Sequence, residues 1–328
     1  MVLKFLKSNQ IAHLILIPLA GILLWLPGLI HPESFRFFAG EADMPLYRIT
    51  GAYLQKLPFL SVFVGLAVVV VSAFFINQIS TRFQFLRSRS GLPGIIYLLT
   101  VSAFPSMHTL HPVHLASLFV FLAIISIFDT YHQSNTIPDT FNAAFFLSVG
   151  SLFYFPTIFL FPITWISIAV LQKGDNWRLL FIPLVGFVVP WFIAAGVYYL
   201  NDILPQLFSA VQENVHTANV NIINTISFQL ISGLFIFLAV LGSSSILSRY
   251  DIKKISSRKY FIIFYWMVVF LVVSILFSRS VGIEAIILLA IPFSYIIAHF
   301  FIFARNRFWP ELLFYLFLGT IAAVMIIG

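Results

Sequence analysis

The chain has 328 residues, 61% of them hydrophobic and only 9% charged, with a mean hydropathy of +1.03. A soluble domain carries roughly a quarter charged residues, so this composition excludes a water-soluble globular protein and makes lipid the main solvent. The formal net charge of +7 does not mark a nucleic-acid binder, because the basic residues are scattered over several short loops as topology determinants and lipid headgroup contacts.

Eleven apolar segments follow one another and predict an all-α polytopic transmembrane bundle of about 11 spans. They cover about residues 11–30, 57–77, 91–109, 113–129, 141–155 and 156–171, a seventh ending near 200 after a basic loop at 173–178, and 226–247, 260–277, 281–304 and 308–327. Lys4 and Lys7 precede the first segment, which is long and lacks a small-residue cleavage site, so it reads as a retained signal anchor. The segments around Phe155-Pro156 are short and predict tilted or protein-shielded helices. No linker divides the chain and no internal repeat stands out, so residues 1–328 form a single membrane domain.

The gaps between segments alternate between basic and basic-poor. With the N-terminus in the cytoplasm, Lys4, Lys7, Arg82, Arg87, Arg89, Lys173, Arg178, Arg249, Lys253, Lys254, Arg258, Lys259, Arg305 and Arg307 fall inside, and only Arg36, Arg48, Lys56 and Arg279 outside. Short cytoplasmic loops retain Lys and Arg, which sets this orientation. The two long outer loops then predict interfacial helices. In the second, Ile203, Leu204, Leu207, Phe208, Val211, Val215, Ala218 and Ile222 recur at helical spacing against a polar face. Phe35, Phe38, Leu46, Ile49 and Tyr53 repeat the pattern more weakly in the first, around a Gly40-Glu41-Ala42-Asp43 turn.

Glu41 and Asp43, with Glu33 nearby, are the catalytic candidates, since paired carboxylates can divide into a base and a ligand when their environments differ. An ordinary hydrated loop explains them equally well. His108, His111 and His114 lie three residues apart at the outer end of the third and fourth segments. Neutral imidazoles there are candidate metal ligands, with His108 and His111 also candidates for binding a substrate headgroup. The alternative is polar hydrogen bonding at a membrane rim. Arg279 and Glu284 flank the turn before the tenth segment and are substrate-binding candidates: a guanidinium suits bidentate phosphate binding or a pairing with Glu284, and Glu284 is a second carboxylate or only that partner. His13 and His299 fall inside spans and read as histidines satisfied by neighbouring helices. The chain has no cysteine for disulfides or thiolate metal sites, and no P-loop, dinucleotide fingerprint or nucleophile elbow.

An N-inside first span, an acidic outer loop with interfacial helices (Glu33, Glu41, Asp43) and the basic turn Arg87-Ser88-Arg89-Ser90-Gly91-Leu92-Pro93 together resemble the membrane module of GT-C-type glycosyltransferases. The resemblance covers about residues 1–225, with additional spans at about 226–328. It implies a polyprenyl-phosphate-linked sugar as donor on the periplasmic side and an acidic residue of the first outer loop, Glu41 or Asp43, as catalytic base. Gly91-Leu92-Pro93-Gly94, Asp139-Thr140-Phe141-Asn142-Ala143-Ala144, Ser151-Leu152-Phe153-Tyr154-Phe155-Pro156 and Asn176-Trp177-Arg178 are similar to an uncharacterised family of polytopic proteins in Bacteroidota, which implies a bacterial inner membrane.

Three functions stay open. The first is inverting glycosyl transfer, with Glu41 or Asp43 as base, Arg279 and the histidines on the leaving phosphate, and a divalent cation as an optional cofactor. The second is a non-catalytic scaffold with envelope-protein partners. The third is a lipid or small-solute transporter. Membrane lipids are expected partners of all three.

Overall fold

Helix is the expected answer where the solvent cannot hydrogen-bond a bare backbone, and the computed structural model contains no strand among its described residues. It describes the chain except residues 1–2, 4–5, 7–9, 36, 38–42, 55, 87–89, 132, 134, 173–176, 217–225, 251–252, 278–281, 305–307 and 328. Thirteen α-helices are present: α1 (Gln10–Ile30), α2 (Pro45–Leu54), α3 (Pro58–Phe83), α4 (Leu92–Val101), α5 (Pro112–Asp129), α6 (Ile137–Phe153), α7 (Ile163–Leu171), α8 (Arg178–Leu200), α9 (Leu204–His216), α10 (Ile226–Leu247), α11 (Ile255–Phe277), α12 (Ala285–Phe303) and α13 (Phe308–Ile327). Eight of them, α1, α3, α5, α8 and α10 to α13, are long and apolar enough to cross a membrane. The protein is a multi-pass membrane protein.

The other three apolar segments hold shorter helices. The predicted third span is not continuous: α4 stops at Val101, and Pro105–Met107 forms a separate 3-10 turn before α5 begins. Pro105 and Pro112 supply no amide hydrogen, which is the local reason for both breaks. The expected tight turn at Phe155-Pro156 is a 3-10 stretch, Phe155–Leu160, leading into α7. α6 starts at Ile137, several residues before the expected span, with Pro138 in its first turn. Helices are present in both outer loops as α2 and α9: α2 takes in Leu46, Ile49 and Tyr53 but not Phe35, which is not helical, and α9 ends at His216, with Phe38 and the remainder of the second predicted helix at or beyond 217 outside the described residues.

The core is built around the helices with least contact with lipid. Every residue of α4 is buried, and two thirds of α5 and α12 are as well. α4 packs between α3 and α12, α5 joins α6, and α8 lies along the outer side of α6. Tyr295 donates to the Ile76 carbonyl at 3.0 Å and ties α12 to α3. At Gly94 the backbones of α4 and α3 come so close that a Cβ would sit 2.5 Å from both the Ala73 carbonyl oxygen and Asn77 Nδ2. Asn77 Oδ1 accepts from the Gly94 amide at 2.9 Å.

Named contacts define two ends of the bundle. At one, Arg82 grips Asp129 through 2.8 and 2.9 Å bonds, Lys254 donates to Gln84, and Arg249 donates to the Phe303 carbonyl. At the other, Tyr47 and Ser61 hold Leu110, and Arg48 donates to Gln206. Ser61 and Arg82 belong to the same helix, so the basic end and the histidine end lie about 30 Å apart at 1.5 Å per residue.

Candidate functional site

The segment between α4 and α5 shapes the histidine end. Its backbone is satisfied locally: Ser102 donates to Leu98, Met107 to Phe104 and His108 to Pro105. Leu110 is held on both sides, its amide donating to Ser61 Oγ at 3.2 Å and its carbonyl accepting from Tyr47 at 2.9 Å. Irregular backbone at membrane depth is tolerated under these conditions, when it is buried in protein with its polar groups paired.

All three predicted histidines are buried here, at 3%, 1% and 1% exposure for His108, His111 and His114. They perform two different tasks. His111 is the N-cap of α5: its Nδ1 accepts from the Val113 amide at 3.3 Å, while His114 Nδ1 accepts from the His111 amide at 3.1 Å. This is a capping box in which two imidazoles replace the usual hydroxyl and carboxylate. A neutral imidazole whose Nδ1 accepts carries its proton on Nε2, so neither ring offers a lone pair to a metal without breaking the cap. His108 has the opposite tautomer. Its Nε2 lies 3.0 Å from the Ser102 carbonyl, which can only accept, so Nε2 donates and Nδ1 keeps the lone pair. Burial pushes the His108 pKa below 6.5, opposed by the Ser102 carbonyl. The ring stacks on Trp25 at 4.8 Å, and Trp25 Nε1 donates to Ser102 Oγ.

The metal reading of His108, His111 and His114 is therefore corrected. Among the described residues no three His, Asp or Glu side chains are arranged to hold a metal ion, and two of the three imidazoles are occupied as caps.

His108 instead lines a cleft of about 500 Å³ with Pro27, Gly28, His31, Glu33, Ser34, Phe37, Val62, Pro105, Ser106 and Thr109. The cleft gathers one carboxylate, two imidazoles and three hydroxyl side chains at the end of α1. Phe35 and Phe37 pack edge-on against Tyr47, and Phe35 against His111, which holds both phenylalanines beside the histidines.

The remaining candidates are distributed differently. Asp43 is exposed just before α2 and is not among the residues lining the cleft. Glu41 and Arg279 lie outside the described residues. Glu284 does border the turn that opens α12, but it is fully buried, and its Oε1 accepts from the Gly282 amide and from Tyr154 at 3.2 Å. These contacts hold its carboxylate inside the protein beside α12. Tyr154 in turn packs against His111 at 6.3 Å. His299 meets the expectation of a neighbouring helix partner through Ser245 Oγ at 3.2 Å. His13 does not: it packs against Gly91, and both of its nitrogens lack a hydrogen-bond partner among the described residues.

The sequence reading missed His31 and gave Glu33 only a secondary place. The available signal was the pair of His-Pro steps, His31-Pro32 after α1 and His111-Pro112 before α5, each ending or opening a helix at the same end of the bundle.

No curated protein and no solved structure matches the chain. One family model matches residues 46–327, from the start of α2 to the end of α13, leaving α1 and Glu33 before the matched region. The chain belongs to DUF6427, a family of unknown function.

Proposed function

We propose that the protein is a GT-C-like membrane glycosyltransferase that takes a polyprenyl-phosphate-linked sugar into the histidine-end cleft, on the periplasmic face of a bacterial inner membrane. The observation that carries this reading is the shared cleft of Glu33 and His108, a carboxylate and an imidazole with a bare Nδ1. We assign the base to Glu33, which lines the cleft; Asp43 is not among the lining residues, and Glu41 lies outside the described residues. The acceptor oxygen attacks the anomeric carbon, the bond from that carbon to the phosphate oxygen breaks, the acceptor proton passes to Glu33, and polyprenyl phosphate leaves. Base catalysis of this kind contributes about 10²- to 10⁴-fold. His31 and the Ser34, Ser106 and Thr109 hydroxyls provide hydrogen bonds for sugar and phosphate oxygens. α2 and α9, lying at this end, suit lateral entry of a lipid-borne donor.

Glu33→Gln is the test. In cells relying on this variant, mass spectrometry of extracted polyprenyl phosphates should show a sugar-loaded species accumulating, with the protein folded at wild-type yield. Lipid-linked sugars unchanged between Glu33→Gln and wild type would sink the assignment of the cleft as a transferase site.

A scaffold reading draws on α8, in which Phe192 is 76% exposed and Leu200 81%. A Cβ at Gly196 on the same helix would meet nothing within 4 Å. Small residues let membrane helices approach closely, so this face suits a partner's helix. Stable co-purification of an envelope protein that is lost in Gly196→Trp, with Glu33→Gln silent, would favour this reading over the enzyme.

A further inference from the structure

A second cavity, of about 530 Å³, opens at the basic end between α10, α12 and α13. It is lined by Leu241, Ser244, Ser245, Ser248, Arg249, Phe300, Phe303, Ala304, Trp309 and Pro310. Three serines and a guanidinium form one wall. Phe300, Phe303 and the 60% exposed Trp309 form the other. Among the described residues no carboxylate lines it, although Glu311 follows directly after Pro310.

The surroundings are unusually cationic for so apolar a place. Arg249 donates to the Phe303 carbonyl at 2.8 Å and lies 5.4 Å from the centre of the Phe303 ring. His299 packs on that same ring at 4.6 Å and on Phe261 at 5.7 Å. Lys253 sits over the opposite partner, 4.3 Å from the Phe261 centroid. Two aromatic rings thus link a guanidinium, an imidazole and an ammonium. The Lys253 ammonium is buried without a hydrogen-bond partner among the described residues, and burial, helped by Arg249, pushes its pKa down to about 8. Buried unpaired charge is costly, and ring faces compensate an ammonium only in part. Of these three groups Arg249 lines the cavity, so an anion there would meet its guanidinium directly, with the His299 and Lys253 side chains behind the two rings.

We propose that this cavity binds the phosphate of an anionic membrane lipid. Arg249 presents a planar fork suited to phosphate oxygens. Ser244 and Ser248 now donate to the Leu241 and Ser245 carbonyls of their own helix, at 2.9 and 3.2 Å, and a rotation about χ1 turns either hydroxyl to the phosphate. Leu241, Phe300 and Trp309 flank the acyl chains. The same phosphate chemistry could come from a soluble anion, but the apolar wall and exposed Trp309 favour a lipid. The site is separate from the histidine-end cleft and stands whether or not that cleft catalyses transfer.

Native mass spectrometry of the full chain, titrated in neutral detergent with phosphatidylglycerol and with phosphatidylcholine, tests it. Tight binding of the first and not the second is expected, weakened about fivefold or more by Arg249→Gln. Lys259→Gln, which removes an ammonium lying over Tyr131, should leave it unchanged. Ser248→Trp fills the cavity while keeping every charge, and should block binding even if Arg249→Gln folds poorly. Equal binding of both lipids, or equal weakening by Arg249→Gln and Lys259→Gln, overturns the site. Displacement of nothing but the lipid's headgroup preference by excess inorganic phosphate, with no lipid retained, would keep a phosphate site and overturn its lipid occupant.

Discussion

Replacing His111 tests the separation of roles among the three histidines. In the folded protein His111 and Val113 are 1% and 0% exposed, and the Val113 amide donates to His111 Nδ1 at 3.3 Å. His111→Leu keeps most of the side-chain volume but removes the acceptor, leaving a buried amide hydrogen unsatisfied. Such an orphan costs about 1–3 kcal/mol, and loss of an N-cap typically costs about 1 kcal/mol. Taking about 2 kcal/mol, the folding equilibrium falls about 30-fold. His111→Asn restores a favoured cap acceptor and should stay within about threefold of wild type. The assay is reversible unfolding of the purified chain in mixed micelles with increasing SDS fraction, followed by circular dichroism. Equal loss in His111→Leu and His111→Asn would refute the capping argument, because the imidazole itself, as in a metal site, would then be what matters. No loss in either would refute it from the other side.

Gly94→Ala should destabilise by about 1–3 kcal/mol in the same assay, the usual cost of forcing an extra carbon into a packed interior. Its new carbon would meet the Ala73 carbonyl at 2.5 Å, and Gly196→Ala, with nothing within 4 Å, is the control expected to be neutral or slightly stabilising. Because the folded-state pKa of His108 lies below its ordinary 6.5, the unfolded chain takes up this proton first as pH falls. The stability associated with neutral His108 is complete above pH 6.5 and is lost as pH drops towards the folded-state value. His108→Gln should therefore flatten the decline of stability between pH 6.5 and 5 by at most about 1.4 kcal/mol per pH unit. An unchanged slope would mean the ring is not held neutral by burial.

The architecture was legible where it depends on periodicity and composition. Each of the eleven apolar segments contains helix, and α2 and α9 fall within the two amphipathic patterns, though α2 takes up only the part from Leu46 onward. The break after Val101 was less legible, because 91–109 is apolar throughout and hydropathy does not register that Pro105 ends a hydrogen-bond ladder. The site was harder still. Histidine spacing alone cannot distinguish a ligand set from a capping box, since an imidazole lone pair serves a metal or an amide alike, and here the amides of His111 and Val113 take it. The sequence places Glu284 only as flanking a turn, and its buried bond to Tyr154, 130 positions earlier in the chain, leaves no trace in the local sequence. The cleft depends on similarly distant pairings, such as Val62 of α3 and His108 closing over the end of α1.

The shortness of α4 gives these observations a common cause. Ten helical residues rise only about 15 Å, whereas the 26 residues of neighbouring α3 rise about 39 Å. A helix that short would leave polar backbone facing lipid if it lay at the periphery. α4 is buried on all sides, so the chain beyond Val101 can turn within protein and pair its amides there. The space that a longer helix would have filled is occupied by the 102–111 segment. That segment turns His108 towards the end of α1 and leaves the adjoining volume as the cleft. The polar chemistry at this end is therefore a consequence of how the core was built: a central helix that stops early, two prolines that prevent its continuation, and imidazoles that serve as caps where the chain re-enters helix. Continuing α4 through residues 102–107 would remove the Ser102 carbonyl from His108 and the cleft with it.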